Sequence, residues 1–315
     1  MNFLYCFDKN YNIQGFISIF SVLEHVDSKV NFFIIHKDKV SLEIFPKRII
    51  EHENLNEIKI FHFEKNSSKF YNLQDAHVSE ATFYRLFIND YINENIKNLV
   101  YLDADILCIG NPLEILNNEF SKLSKSNLSV GFNTEYSKLD SNHEAFKRLN
   151  LLGNKYFNAG VMLINFQNWL ENKDSQNIKR KIEEIKEKAI YWDQDILNSY
   201  FDGNYIEIPN SLNYKINYFD KDYKKILKDN ISEQKIFFIH YSGKFKPWSV
   251  KGITHSSSYI FHDYYYALFE KKYFINNSRK ILALKDFIKI VYTFKFLKLK
   301  YPFSGLSAII KYLLS

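Results

Sequence analysis

Along this chain, short apolar-rich runs alternate with longer stretches in which apolar residues return every three or four positions. The short runs stand at Phe3–Phe7, Phe32–Ile35, Ile58–Phe63, Leu99–Leu102, Leu128–Phe132, Val161–Ile164 and Ile236–Ile239. Runs of this length read as strands, and those without a polar break as strands buried on both faces. Helical spacing occupies residues 12–25, 41–52, 79–92, 175–188 and 194–201. Alternation of the two predicts an α/β fold, a mixed sheet flanked by helices on both faces. No internal repeat interrupts it.

The 315 residues, 46% of them hydrophobic, suffice for one large domain with an appendage. With 23 Tyr and 29 Phe, aromatic side chains should dominate the core. Cys6 and Cys108 lie in or beside predicted strands, which points to buried free thiols in a reducing compartment and excludes a zinc cluster. The N-terminal apolar run Phe3–Phe7 is too short for a secretory leader, and no run of 18 apolar residues occurs. A cytoplasmic protein is therefore expected. Net charge is +6, but residues 271–315 hold ten basic residues and one acid, so the remaining 270 carry −3. The basic excess belongs to the tail, and no nucleic-acid partner is expected.

The segment Leu99-Val100-Tyr101-Leu102-Asp103-Ala104-Asp105-Ile106-Leu107 ends an apolar run in two carboxylates one residue apart. Residues two apart on a strand share a face, so Asp103 and Asp105 should lie together at its C-terminal end. Two anions so close repel unless a cation or proton intervenes. A hard divalent ion such as Mg²⁺ or Mn²⁺ suits such an oxygen-rich site. The nine glycines form no G-x-G-x-x-G and no Walker loop, so neutralisation of a diphosphate would fall to a metal.

Further polar clusters follow other predicted elements. Asp8 and Asn10 come after the first strand, and Arg85 sits alone on an otherwise apolar helical segment. Asn158 lies in Phe157-Asn158-Ala159-Gly160-Val161, Asp193 and Gln194 in Trp192-Asp193-Gln194-Asp195, and His240, Gly243 and Lys246 in the stretch from Ile239 to Trp248. Each also has a purely structural reading. Asp8 caps the following helix, Arg85 pairs on the surface with Asp90 or Glu80, Asn158 satisfies a turn, Asp193 serves as an N-cap and His240 as a hydrogen-bonded histidine. Strand ends of one sheet converge on one edge, however, and together the clusters describe a site.

In combination and in this order, YLDADIL, FNAGVMLINFQNW, WDQDILN and HYSGKFKPW resemble glycosyltransferase family 8, in particular bacterial lipopolysaccharide and lipooligosaccharide α-galactosyl- and α-glucosyltransferases. The resemblance spans roughly residues 1–250. It implies a GT-A (Rossmann-like) fold, a UDP-galactose or UDP-glucose donor, Mn²⁺, and transfer with retention of α-configuration. By similarity, Asp103, Asp105 and His240 hold the metal, Asp8 and Asn10 hold uracil and ribose, and Ala104 lies against the ribose. Arg85 binds donor, Lys246 meets the diphosphate, and Gly243 lets backbone approach it. Asn158 and Asp193 contact the donor sugar, with Gln194 near the anomeric carbon. Gln194 is an amide and a poor nucleophile, which favours front-face attack; Asp193 stays open as a covalent participant. Where related galactosyltransferases carry an acid for the acceptor, this chain reads Asn133-Thr134-Glu135, which leaves the acceptor open.

The chain divides into a catalytic region 1–255 and a basic helical region 256–315. Residues 281–300 mix Lys with Phe, Tyr and Leu at helical spacing, with Lys285 and Lys289 on one face. That pattern suits an anionic membrane surface, where a lipid-linked saccharide acceptor would lie; the alternative is a helix packed on the domain with solvated lysines. Two other function classes account for less of the sequence. A D-x-D phosphatase of the haloacid dehalogenase type normally opens with its motif, whereas about a hundred residues precede it here. A non-catalytic peripheral membrane protein leaves the strand-end clusters without purpose.

Overall fold

The computed structural model describes residues 1–64, 80–92, 96–139, 141, 143–216, 236–243 and 246–315. Ser79, first residue of the predicted 79–92 helix, and Lys244-Phe245 of the last motif lie outside these.

Ten strands occur among the described residues: β1 (Asn2–Phe7), β2 (Val30–His36), β3 (Leu55–His62), β4 (Asn98–Leu102), β5 (Ile106–Cys108), β6 (Val130–Ser137), β7 (Lys155–Asn165), β8 (Ile206–Glu207), β9 (Tyr214–Lys215) and β10 (Phe238–His240). The main sheet runs β3-β2-β1-β4-β7-β6-β8, and a smaller one runs β5-β10-β9. Pairings from β3 through β4 are parallel, while β7 lies antiparallel to both β4 and β6. The sheet is mixed, as expected.

β1 shows how an uninterrupted apolar strand serves two faces. Phe3, Tyr5 and Phe7 enter a core shared with α1 (Asn12–Leu23), whereas Leu4 and Cys6 enter a second core on the opposite face. α2 (Lys47–Ile50), α3 (Leu113–Ser124), α4 (Glu144–Arg148), α5 (Phe166–Glu171), α6 (Asp174–Ile185) and α7 (Trp192–Phe201) follow in order. On α6, Ile178, Ile182 and Ile185 return at helical spacing and fill the second core. Both cysteines are buried free thiols.

Two predicted helices differ. The 41–52 span is a 3₁₀ turn Leu42–Ile44 followed by one turn of α2, because Pro46 fixes its own φ and lacks the N–H that a continuous helix needs. The 79–92 span is a 3₁₀ segment, Glu80–Asp90, kinked at Phe87.

Beyond the sheet lie α8 (Ser258–Phe269), α9 (Lys280–Tyr292) and α10 (Pro302–Leu314). α8 sends Ile260, Phe261, Tyr265 and Leu268 into the first core. α9, α10 and the 3₁₀ turn Lys295–Lys298 share a separate small cluster of Val250, Ile253, Ile275, Ala283, Ile290, Leu299 and Ile309.

Candidate active site

A cavity of about 720 Å³ opens where β1, β4 and β10 end and the antiparallel β7 begins, and most of the polar clusters meet there. β4 stops at Leu102 and the chain turns through Asp103, Ala104 and Asp105 into β5, closed by Ile106 N–H donating to Asp103 O at 3.1 Å. β5 pairs antiparallel with β10, which sets His240 opposite Ile106 and therefore beside Asp105. One donor atom each from Asp103, Asp105 and His240 falls within 4.8 Å of the others.

The donor set fits a divalent cation. Asp105 Oδ1 is buried without a hydrogen-bond partner and faces His240 Nε2 at 3.3 Å, so two electron-rich atoms look into one gap. Carboxylate oxygen plus imidazole nitrogen is chemistry that Mn²⁺-like ions accept. Lys246 Nζ ion-pairs with Asp105 Oδ2 and donates to the Tyr241 carbonyl at 2.8 Å. Burial alone would raise the Asp105 pKa, but the Lys246 ammonium beside it pulls the carboxyl below the usual range.

Arg85 is the other charged centre. Its Nη2 reaches Asp103 Oδ1 and its Nε reaches Asp193 Oδ2, each at 2.8 Å, while Nη1 donates to the Ala159 carbonyl at 2.5 Å. The guanidinium also lies 4.0 Å from the Tyr101 ring centre, and Tyr101 Oη donates to the same Asp103 Oδ1 at 2.6 Å. Burial penalises the Arg85 charge, but Asp103 and Asp193 more than offset this and push its pKa up. Asp193, buried and taking a hydrogen bond from Thr82, titrates near 6: burial raises it, and Arg85 only partly pulls it back. The surface pairing expected for Arg85 does not occur. Asp90 pairs with Lys179 and Glu80 with Lys37.

Asp193 is not the N-cap that the sequence pattern offered. α7 begins at Trp192, and it is Asp195 Oδ2 that accepts the N–H groups of Ile190 and Tyr191 at 2.7 and 2.8 Å. Asp195 also binds Arg148 and Tyr156, which fixes the start of α7 and so aims Asp193 and Gln194 at the cavity. Gln194 Oε1 accepts from Asn158 Nδ2 and from the Ala159 N–H, both at 3.2 Å.

Of the candidate residues, Arg85, Asp103, Ala104, Asp105, Asn158, Asp193, Gln194, His240, Gly243 and Lys246 all line the cavity. Asp8 and Asn10 do not; their neighbours Phe7 and Tyr11 do, and Asp8 caps a 3₁₀ turn by accepting the Asn10 N–H at 2.9 Å. Gly243 holds φ at +76°, a conformation that favours glycine. Gly160, to which the sequence pattern assigns no role, is required by its surroundings: a Cβ there would lie 2.3 Å from His240 Cε1. The His240 ring can take its place only over a bare backbone. Glu135 lines the cavity too, salt-bridged to Lys215 at 2.7 Å.

A parallel-rich sheet whose strand ends converge on paired aspartates is the arrangement of a GT-A nucleotide-sugar enzyme. The family model for glycosyl transferase family 8 matches residues 2–252, and the chain belongs to that family. A putative glycosyltransferase of Haemophilus influenzae is 30% identical over 257 residues, covering 80% of this chain and 74% of the relative. A lipopolysaccharide 1,2-glucosyltransferase of Escherichia coli is 30% identical over 261 residues, covering 76% and 71%. Among solved structures, the galactosyltransferase LgtC in complex with donor and acceptor sugar analogues superposes with a TM-score of 0.69 at 21% identity, covering 85% of this chain and 96% of that one. The likeness establishes the GT-A fold.

Proposed function

We propose that the protein transfers a hexose, galactose or glucose, from a UDP-sugar to a lipopolysaccharide or lipooligosaccharide acceptor, with retention of anomeric configuration. The observation that carries this is the convergence of Asp103, Asp105 and His240 at one end of the cavity lined by Asn158, Asp193 and Gln194. Those three ligands would hold Mn²⁺, with Mg²⁺ second choice because imidazole is a poorer partner for the harder ion. When bound, the cation supplies Lewis-acid stabilisation of the diphosphate leaving group.

The chain's own residues do the rest. Lys246, held against Asp105 and the Tyr241 carbonyl beside the proposed cation site, would add a point charge to the diphosphate. Ala104 leaves room for the ribose, Asp8 and Asn10, next in sequence to the lining residues Phe7 and Tyr11, would hold the nucleoside, and Arg85 acts through the two carboxylates it clamps. Asn158, Asp193 and Gln194 orient the sugar. The bond from its anomeric carbon to the phosphate oxygen breaks, and the acceptor oxygen bonds to the same face of that carbon. The acceptor's proton passes to the departing phosphate oxygen. Gln194 presents an amide, and both oxygens of Asp193 are engaged by Arg85 and Thr82, which supports front-face attack over a covalent intermediate.

We read residues 1–255 as the catalytic region and 256–315 as a membrane-associating one, on the cytoplasmic face. No described helix is long and apolar enough to cross a membrane. Yet α9 and α10 leave Ile281, Ile288, Tyr292, Phe303 and Leu314 exposed, among Lys285, Lys289, Lys295 and Lys298. Exposed apolar side chains interleaved with lysines fit an interfacial helix against anionic lipid.

The decisive experiment is UDP release from UDP-galactose and UDP-glucose with Mn²⁺ and with chelator. Release is expected only with metal, and Asp105→Asn should lower it about 10²–10³-fold while the variant remains folded. Hydrolysis of p-nitrophenyl phosphate without UDP release would overturn the assignment.

A further inference from the structure

We propose that Asn213 is a positioning residue: it sets the tautomer and orientation of His240 and couples that ring to the sugar-facing amide of Asn158. This rests on the cation site proposed above. Two backbone N–H groups, which can only donate, fix the direction of every hydrogen bond in the chain of amides. Ala159 N–H donates to Gln194 Oε1 at 3.2 Å, and Gly160 N–H donates to Asn158 Oδ1 at 3.0 Å. Asn158 therefore presents its oxygen on that side, and Asn213 Nδ2 donates to the same oxygen at 2.9 Å.

With its NH₂ committed, Asn213 turns its carbonyl oxygen to His240 Nδ1 at 2.9 Å. That oxygen can only accept, so Nδ1 carries the proton. Nε2 of the neutral ring is then a lone pair, pointing at Asp105 Oδ1 across 3.3 Å with no hydrogen bond between them. A histidine that binds a cation through Nε2 needs this tautomer.

The placement is built. Asn213 is fully buried, and its N–H is taken by the Asn210 carbonyl at 3.1 Å. It immediately precedes β9, which pairs in parallel with β10 so that Ile239 lies beside Tyr214. Gly160 closes the other side, since a Cβ there would meet His240 Nδ1 at 2.7 Å. The ring is gripped between an amide and a bare backbone.

Mn²⁺ titrations followed by electron paramagnetic resonance, without nucleotide, test the role in wild type, Asn213→Ala and Asn213→Asp. Loss of the acceptor in Asn213→Ala should weaken Mn²⁺ binding about 10–100-fold. Asn213→Asp keeps an acceptor for Nδ1–H and loses the donor to Asn158. It should bind Mn²⁺ at least as tightly as wild type while its KM for UDP-sugar rises. A folded Asn213→Ala protein with wild-type Mn²⁺ affinity overturns the inference, as does equal loss in both variants, which would mark a packing role. ¹⁵N NMR of the metal-free wild type reads the His240 proton directly. A proton on Nε2 overturns the inference whatever the metal does, whereas a proton on Nδ1 with no Mn²⁺ binding at all supports the tautomer and faults only the cation reading.

Discussion

The cavity and the C-terminal helices break the ordinary inside–outside rule in opposite directions. Around the cavity, Arg85, Asp193, Asp195 and His240 are buried, each with charged or hydrogen-bonded partners. In the tail, Tyr292 is 84% exposed and Phe303 78% exposed, with no described residue covering them. Burying charge is costly unless partners are arranged in advance, and exposing large apolar groups is costly unless a surface later covers them. On the proposed function, the buried charges would receive an ionic ligand and the exposed apolar side chains a lipid surface.

Three changes would break or sharpen that contrast. The largest effect is expected from Arg85→Met, which strands Asp103 and Asp193 without their shared cation. Urea unfolding should show a loss of about 3–5 kcal/mol, the usual cost of breaking a buried pair on one side. Adding Asp193→Asn should recover part of it. If Arg85→Met unfolds with the wild type, the cavity's charges are not mutually dependent.

Next comes the seam between the regions, at His262 on α8. Its Nε2 lies 3.0 Å from the Pro247 carbonyl, beside Lys246, and burial pushes its pKa down from 6.5 to about 4. The unfolded chain takes up a proton near pH 6.5 while the native one resists until about 4, so stability falls as the pH drops through that window. The cost by pH 4 is about 3 kcal/mol. His262→Gln should flatten the stability profile there, as measured by urea melts at each pH. An unchanged slope would mean the ring is not held neutral.

The smallest effect belongs to the tail. Lys289→Gln should weaken binding to phosphatidylserine vesicles at low salt by about 1 kcal/mol, roughly fivefold, and leave UDP release untouched. Wild-type protein that ignores such vesicles would end the membrane reading.

Much of this was legible in the sequence because long apolar strands and strand-end aspartates are local signals. Leu99–Leu102 runs straight into Asp103 and Asp105, and ten of the twelve candidate residues line one cavity. Failures came where the answer lay in tertiary contacts. Arg85 had plausible local partners in Glu80 and Asp90, yet each is taken by a lysine distant in sequence. In the second sheet only β10 was foreshadowed, by the run Ile236–Ile239; β5 and β9, of three and two residues, are too short to show a period. Asn213 carries no pattern at all; only the pairing of β9 with β10 brings it to His240. Pro46 was a local signal that helical spacing at 41–52 overrode wrongly.

The pairing of β5 with β10 joins two distant stretches of the polypeptide. During synthesis on a ribosome, Asp103 and Asp105 emerge well before His240. A nascent chain halted after α7 would already own its aspartate pair but hold no closed clamp. On the proposed function such a chain lacks one of its three cation ligands, so turnover of the donor would have to wait for β10.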